Sequence, residues 1–192
     1  MDEPSKRPRL WNVPNTLTIS RLGMGVLMLA ALTYDRYVLA LVLFLLASIT
    51  DALDGYFARL LNQATAFGRQ LDPLVDKVLI AGVLVYLVAI PNSGLAPWMA
   101  AVIIARELLI QWLRSLLEGQ GEAFGAKWSG KLKTVLQCSA IVASLLTLAS
   151  TPTPGWMTIA RDMIVWSAIG LTLYSGIAYV LSARSRLRLD LA

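Results

Sequence analysis

Apolar residues fall in six long blocks along the chain, separated by short polar, proline-bearing or glycine-bearing breaks. The blocks run from about Asn15 to Tyr34, Tyr37 to Leu60, Leu71 to Ile90, Pro97 to Leu117, Gly130 to Ser150 and Trp156 to Ser182. Each holds about 20 residues, which at about 1.5 Å per residue spans a hydrocarbon core of roughly 30 Å. The breaks are an Asp35-Arg36 turn, a polar connector over 62–70, the PNSG turn at 91–94, a glycine-rich loop after Leu117, and TPTPG at 151–155. Proline and glycine at these points stop a helix. The pattern predicts an all-α fold, a polytopic membrane bundle of six transmembrane helices. No internal repeat interrupts it. Residues 1–14 form an N-terminal segment at the cytoplasmic interface, where Trp11 suits the bilayer surface. Residues 15–182 form the helical domain, and 183–192 a basic cytoplasmic tail.

Composition turns that pattern into a membrane assignment. The chain is 57% hydrophobic with 15% charged residues, against about 25% charged in soluble domains, and its mean hydropathy is +0.63. A net charge of +5 in such a chain reflects topology, so nucleic acid is not implied, whereas anionic lipid and phosphate are natural partners. Lys6, Arg7 and Arg9, Arg59 and Arg69, Lys127, Lys131 and Lys133, and Arg184, Arg186 and Arg188 fall on one side of the membrane under the six-span reading, and Arg36 and Arg161 on the other. The positive-inside rule then makes both termini cytoplasmic. The absence of histidine excludes an imidazole base, a phosphohistidine intermediate and a histidine zinc site. Cys138 is the only cysteine, so no intrachain disulfide forms, and its apolar setting makes it a packing residue. The charged, proline-broken start predicts no removable signal peptide.

Four carboxylates in apolar surroundings carry the chemistry. A carboxylate near the middle of a membrane helix costs roughly 2.5 to 3.5 kcal/mol, so four at full depth need compensation. Asp51 and Asp54 are three apart, and Asp72 and Asp76 four apart, spacings that put each pair on one helix face. Carboxylate oxygens are hard ligands for Mg²⁺ or Mn²⁺, and two such ions can clamp a diphosphate. Solvated interfacial aspartates are the plainer alternative. Both pairs lie toward the cytoplasmic side in the six-span topology. Small residues at Gly55, Ala58 and Gly68 admit a nucleotide close to the backbone, or allow tight helix packing. The planar fork of Arg59 matches a diphosphate, or reaches toward the interface from a helix end. Asn15, Thr16, Thr18 and Arg21 either cap and seat the first helix or face the nucleotide.

Written out, Asp51 to Asp76 reads D-x2-D-G-x2-A-R-x8-G-x3-D-x3-D, and the chain here resembles the CDP-alcohol phosphatidyltransferase family, with every fixed position of that motif present. The resemblance implies that Asp51, Asp54 and Asp72 bind the metal pair. It implies that Asp76 binds metal and also serves as base on the acceptor hydroxyl. Gly55, Ala58, Arg59 and Gly68 are implied to contact the CDP part of CDP-diacylglycerol, with CMP as leaving group. A homodimer through membrane helices is a further implication.

The acceptor must be read elsewhere. PNTLTISR at 14–21, AREL with Arg114 at 105–114, and GKLKTVLQ at 130–137 resemble the branch that uses sn-glycerol 3-phosphate in a bacterial inner membrane, the phosphatidylglycerophosphate synthases. Arg106, Arg114, Lys131 and Lys133 are then acceptor-phosphate residues, and a cationic pocket suits an acceptor with its own phosphate. Topogenic charge is the alternative for Lys131 and Lys133. Glu107 holds Arg106 or Arg114 in place. Rival readings are cardiolipin, inositol-phosphate or serine transferases of the same family and, from another class, a divalent-cation transporter.

Overall fold

The computed structural model describes residues 13–61, 66–119 and 128–184; within these, the side chains of 13–15, 17, 52–61, 66–73, 118 and 128–131 fall outside the described set. The described residues form six helices and no strand: α1 (Val13–Thr33), α2 (Tyr37–Leu61), α3 (Ala66–Ala89), α4 (Pro97–Gly119), α5 (Trp128–Ala149) and α6 (Gly155–Arg184). They run from 21 to 30 residues, long enough at about 1.5 Å per residue to cross a bilayer. Two stretches, Leu132–Ala149 and Gly155–Arg184, are also apolar enough throughout to be spans by length and composition.

Two of the boundaries that differ from the sequence reading bear on the site. The third helix starts at Ala66, so Ala66 to Gln70 are helical and not connector. Hydropathy follows side-chain polarity, whereas helix hydrogen bonding belongs to the backbone, so polar residues such as Arg69 and Gln70 continue the same helix. The first helix starts at Val13, which puts Asn15 inside the first turn and removes it as an N-cap. Pro14 is tolerated there because first-turn N–H groups have no intrahelical acceptor.

The α1–α2 turn shows how local chemistry stops a helix. Asp35 takes a left-handed φ of 55°. Arg36 N–H then donates to Ala31 O at 2.8 Å and Asp35 N–H to Leu32 O at 3.2 Å, the bonding of a Schellman termination.

The chain divides into two compact units, up to Gly82 and from Val83. In the first, α1 packs on α2 around Met28, Leu32, Ala40, Phe44 and Ala47. Small residues bring α1 and α3 close: a Cβ on Gly25 would lie 3.1 Å from Leu79 Cγ, and one on Gly82 would lie 3.4 Å from Leu29 Cδ1. In the second unit, α6 packs against both α4 and α5. Ile110, Leu113 and Leu117 of α4 cluster there with Tyr179 and Ala183 of α6.

The burial pattern is reversed from that of a water-soluble helix. On α1, Thr18 and Arg21 are buried while Leu22, Val26 and Leu27 are exposed. On α6, Arg161, Thr172 and Ser175 are buried while Trp156, Met163, Leu173, Ile177 and Leu181 are exposed. Polar groups facing inward and large apolar groups outward are the arrangement of helices solvated by lipid.

Arg161 has a part that its sequence position did not suggest. It is 7% exposed, its Nη1 donates to Asn92 O at 2.6 Å and its Nε to Asp162 Oδ1 at 2.9 Å. Gly94 sits against it at φ 81°, where a Cβ would fall 2.3 Å from Arg161 Nε. The 91–94 turn is thus clasped onto α6.

Candidate active site

All four motif aspartates lie inside helices, Asp51 and Asp54 on α2 and Asp72 and Asp76 on α3. One helical turn separates the members of each pair, so each pair shares a face. The side chains of Asp51 and Asp76 are described, whereas those of Asp54, Asp72, Ala58 and Arg59 and the surroundings of Gly55 and Gly68 fall outside the described set. Asp76 is half-buried, one residue past the buried Val75.

Asp51 is held from α1. Its Oδ1 lies 2.7 Å from Arg21 Nη1, with the arginine side chain 2% exposed and the aspartate 52%. Thr18, one turn before Arg21, is also buried. Sequence reasoning left Arg21 between capping and nucleotide contact; its partner is the first aspartate of the motif. A signal was present, because an arginine inside an apolar helix requires a counter-charge. Thr18 is brought to this same buried face, while the Asn15 side chain is outside the described set.

The donor chemistry of this stretch fits a divalent ion, since carboxylate oxygens are the ligands that Mg²⁺ and Mn²⁺ prefer. Asp51 remains half exposed with Arg21 on one oxygen, so the carboxylate is oriented without being enclosed. Among the described side chains, no three His, Cys, Asp or Glu groups converge; the side chains of Asp54 and Asp72 are outside that set.

A second polar cluster occupies the unit formed by α4, α5 and α6. Glu107 on α4 pairs with Lys133 of α5 and, at 3.3 Å, with Nη1 of its neighbour Arg106. Lys133 is 3% exposed, so its ammonium is no ordinary topogenic charge. Arg106 Nη2 also donates to Ser175 Oγ of α6 at 3.2 Å. Thus Arg106 and Lys133, both read as acceptor-phosphate residues, come together on one carboxylate, and Glu107 joins Arg106 to Lys133. Arg114 is half-buried two turns further along α4, and no ion pair joins it to Glu107 among the described residues. The Nε groups of Arg106 and Arg114 are buried without a hydrogen-bond partner among the described residues. Buried donors left open in this way are uncommon. Lys131 lies on α5, with its side chain outside the described residues.

Residues of α6 and the end of the GKLKTVLQ stretch were missed as site residues. Gln137 Nε2 donates to Thr172 Oγ1 at 3.2 Å, and Ser175 Oγ donates to Thr172 O at 3.1 Å. Ser and Thr in an apolar helix look like neutral filler until a partner helix is placed beside them. Beside this cluster, α4 and α6 enclose a groove of about 410 Å³ lined by Val102, Leu109, Leu173, Ile177 and Arg106, among others.

Comparison with known proteins agrees with this picture. The sequence model of the CDP-alcohol phosphatidyltransferase family matches residues 11–174. A Bacillus subtilis protein named CDP-diacylglycerol--glycerol-3-phosphate 3-phosphatidyltransferase is 37% identical, over 88% of this chain and 94% of its own length. A Mycobacterium tuberculosis protein named probable phosphatidylglycerophosphate synthase is 37% identical over 92% of this chain and 84% of its own. The Escherichia coli protein that bears the same name as the B. subtilis one is 34% identical over 92% and 97%. With the aspartate motif intact and the match spanning most of its length, the chain belongs to the CDP-alcohol phosphatidyltransferase family.

Proposed function

We propose that this membrane enzyme transfers the phosphatidyl group of CDP-diacylglycerol to sn-glycerol 3-phosphate, giving phosphatidylglycerophosphate and CMP. The observation that carries the acceptor choice is the convergence of Arg106 from α4 and Lys133 from α5 on Glu107. Burying two cations from different helices is costly without a function that uses them. An acceptor that brings its own phosphate uses them, whereas a neutral alcohol does not. Relatives named for glycerol 3-phosphate support the same acceptor.

In this reading Asp51, Asp54, Asp72 and Asp76 hold two Mg²⁺ or Mn²⁺ ions. When bound, such ions neutralise diphosphate charge and stabilise the departing CMP oxygen. Arg21 keeps Asp51 oriented. Gly55, Ala58, Arg59 and Gly68, with Asn15 and Thr18, receive the CDP part of the donor. Arg106, Arg114, Lys131 and Lys133 hold the acceptor phosphate. Asp76 takes the proton of the attacking hydroxyl as the new P–O bond forms and the bond to CMP breaks. All six helices span the membrane, with both termini and the active site on the cytoplasmic side of a bacterial inner membrane, and the enzyme is a homodimer. The terminal segments read at that face lie, at 1–12 and 185–192, outside the described residues.

An acceptor screen with purified protein tests the proposal. CMP release from CDP-diacylglycerol should require glycerol 3-phosphate. Release that requires phosphatidylglycerol, inositol phosphate or serine instead would reassign the branch. Cation flux into liposomes without CMP release would favour a transporter.

A further inference from the structure

The hydrogen bonds around Arg106 form a ring through three helices. Lys133 of α5 meets Glu107 of α4, Glu107 meets Arg106, and Arg106 meets Ser175 of α6. Ser175 meets Thr172, and Thr172 meets Gln137, which lies one turn past Lys133 on α5. Thr172, Ser175, Gln137 and Lys133 are each at most 3% exposed.

Within the ring, the chemistry of Ser175 is directional. A hydroxyl has one proton, and Ser175 gives it to Thr172 O at 3.1 Å. Its lone pairs are then left for Arg106 Nη2 at 3.2 Å, so the hydroxyl cannot turn and present its proton to the guanidinium. Arg106 is therefore pinned at both terminal nitrogens, Nη1 by Glu107 and Nη2 by Ser175. Two pins on opposite arms of a planar fork fix its orientation as well as its place. The next residue makes this approach possible: a Cβ on Gly176 would lie 3.2 Å from Arg106 Cγ, tighter than ordinary packing. Ser175 and Gly176 both lie past residue 174, where the family match ends.

We infer that Ser175, with Gly176 beside it, is a positioning residue that pre-orients Arg106 and thereby sets the affinity for the acceptor phosphate. The inference rests on the acceptor role proposed for Arg106. A long arginine side chain loses considerable freedom when it binds a ligand, and a side chain already held in place loses less. Ser175 touches neither substrate in this scheme and acts only through Arg106.

Full-length enzyme in detergent micelles, with saturating CDP-diacylglycerol and varied glycerol 3-phosphate, tests this. Ser175→Ala should raise the acceptor KM about ten- to twentyfold, the low end for loss of a hydrogen bond to a charged group. Its kcat and donor KM should stay within about twofold. Ser175→Thr keeps the hydroxyl and should restore the acceptor KM. Gly176→Ala pushes on the arginine stem from the same helix and should raise the acceptor KM about two- to threefold, a fraction of a lost hydrogen bond. An unchanged acceptor KM in a folded Ser175→Ala enzyme overturns the positioning role, and so does an equal rise in both KM values. If Ser175→Ala does not fold, Gly176→Ala decides by the same criterion. A wild-type enzyme that ignores glycerol 3-phosphate overturns the acceptor assignment itself, and this inference with it.

Discussion

Removing Glu107 should cost far more stability than removing its partner Lys133, because the two deletions strand different charges. Glu107→Ala leaves Arg106 and Lys133 facing each other, with side chains 12% and 4% exposed. Breaking a buried pair by deleting one member costs roughly 3 to 5 kcal/mol, most of it from the charge left behind. Glu107 is 22% exposed, so water enters partly and the lower end, about 3 kcal/mol, applies. Lys133→Ala leaves Glu107 still paired with Arg106 at 3.3 Å. Its loss is then that of one charge-assisted bond, about 1.5 kcal/mol. The double variant should cost less than the sum of the two, since the stranded ammonium is gone. Equilibrium unfolding in mixed micelles, with the four proteins of the cycle at one detergent composition, measures these differences. A Lys133→Ala enzyme as destabilised as Glu107→Ala, or a strictly additive double variant, would refute the view that one carboxylate neutralises two cations.

One further outcome follows from the geometry and two from the proposed function. Gly94→Ala forces a side chain into a left-handed backbone and displaces Arg161 from Asn92 O; the two effects together should lower stability by about 3 kcal/mol in the same unfolding assay, with both substrate KM values unchanged. Asp76→Asn should abolish CMP release while retaining CDP-diacylglycerol binding, measured by filter or fluorescence titration, and near wild-type turnover in that variant would remove the aspartate from its role as base. Chelation by EDTA should stop turnover and Mg²⁺ or Mn²⁺ should restore it; activity that persists in metal-free enzyme would leave the four aspartates without their assigned partner.

The helical framework was largely written in the alternation of apolar blocks and breakers. Tyr37 and Pro97 begin helices at the residues the pattern indicates, and Asp35 and Gly94 fall in the turns, because proline, glycine and apolar length act through local backbone geometry. The start of the third helix was not legible for a physical reason: hydropathy follows side-chain polarity, and Ala66 to Gln70 include polar side chains on a backbone that is already helical. The aspartate motif was also legible, since fixed spacing along α2 and α3 sets which residues share a face. What the sequence alone could not decide is which polar side chains on different helices meet. Arg21 had several possible partners until α1 packed on α2 and brought it to Asp51. Glu107 had two candidate arginines on its own helix, and the packing of α4, α5 and α6 selected Arg106 with Lys133 instead of Arg114. Ser175 and Thr172 carry no local signal at all, because a hydroxyl in an apolar helix takes its meaning from the donor that a neighbouring helix places against it.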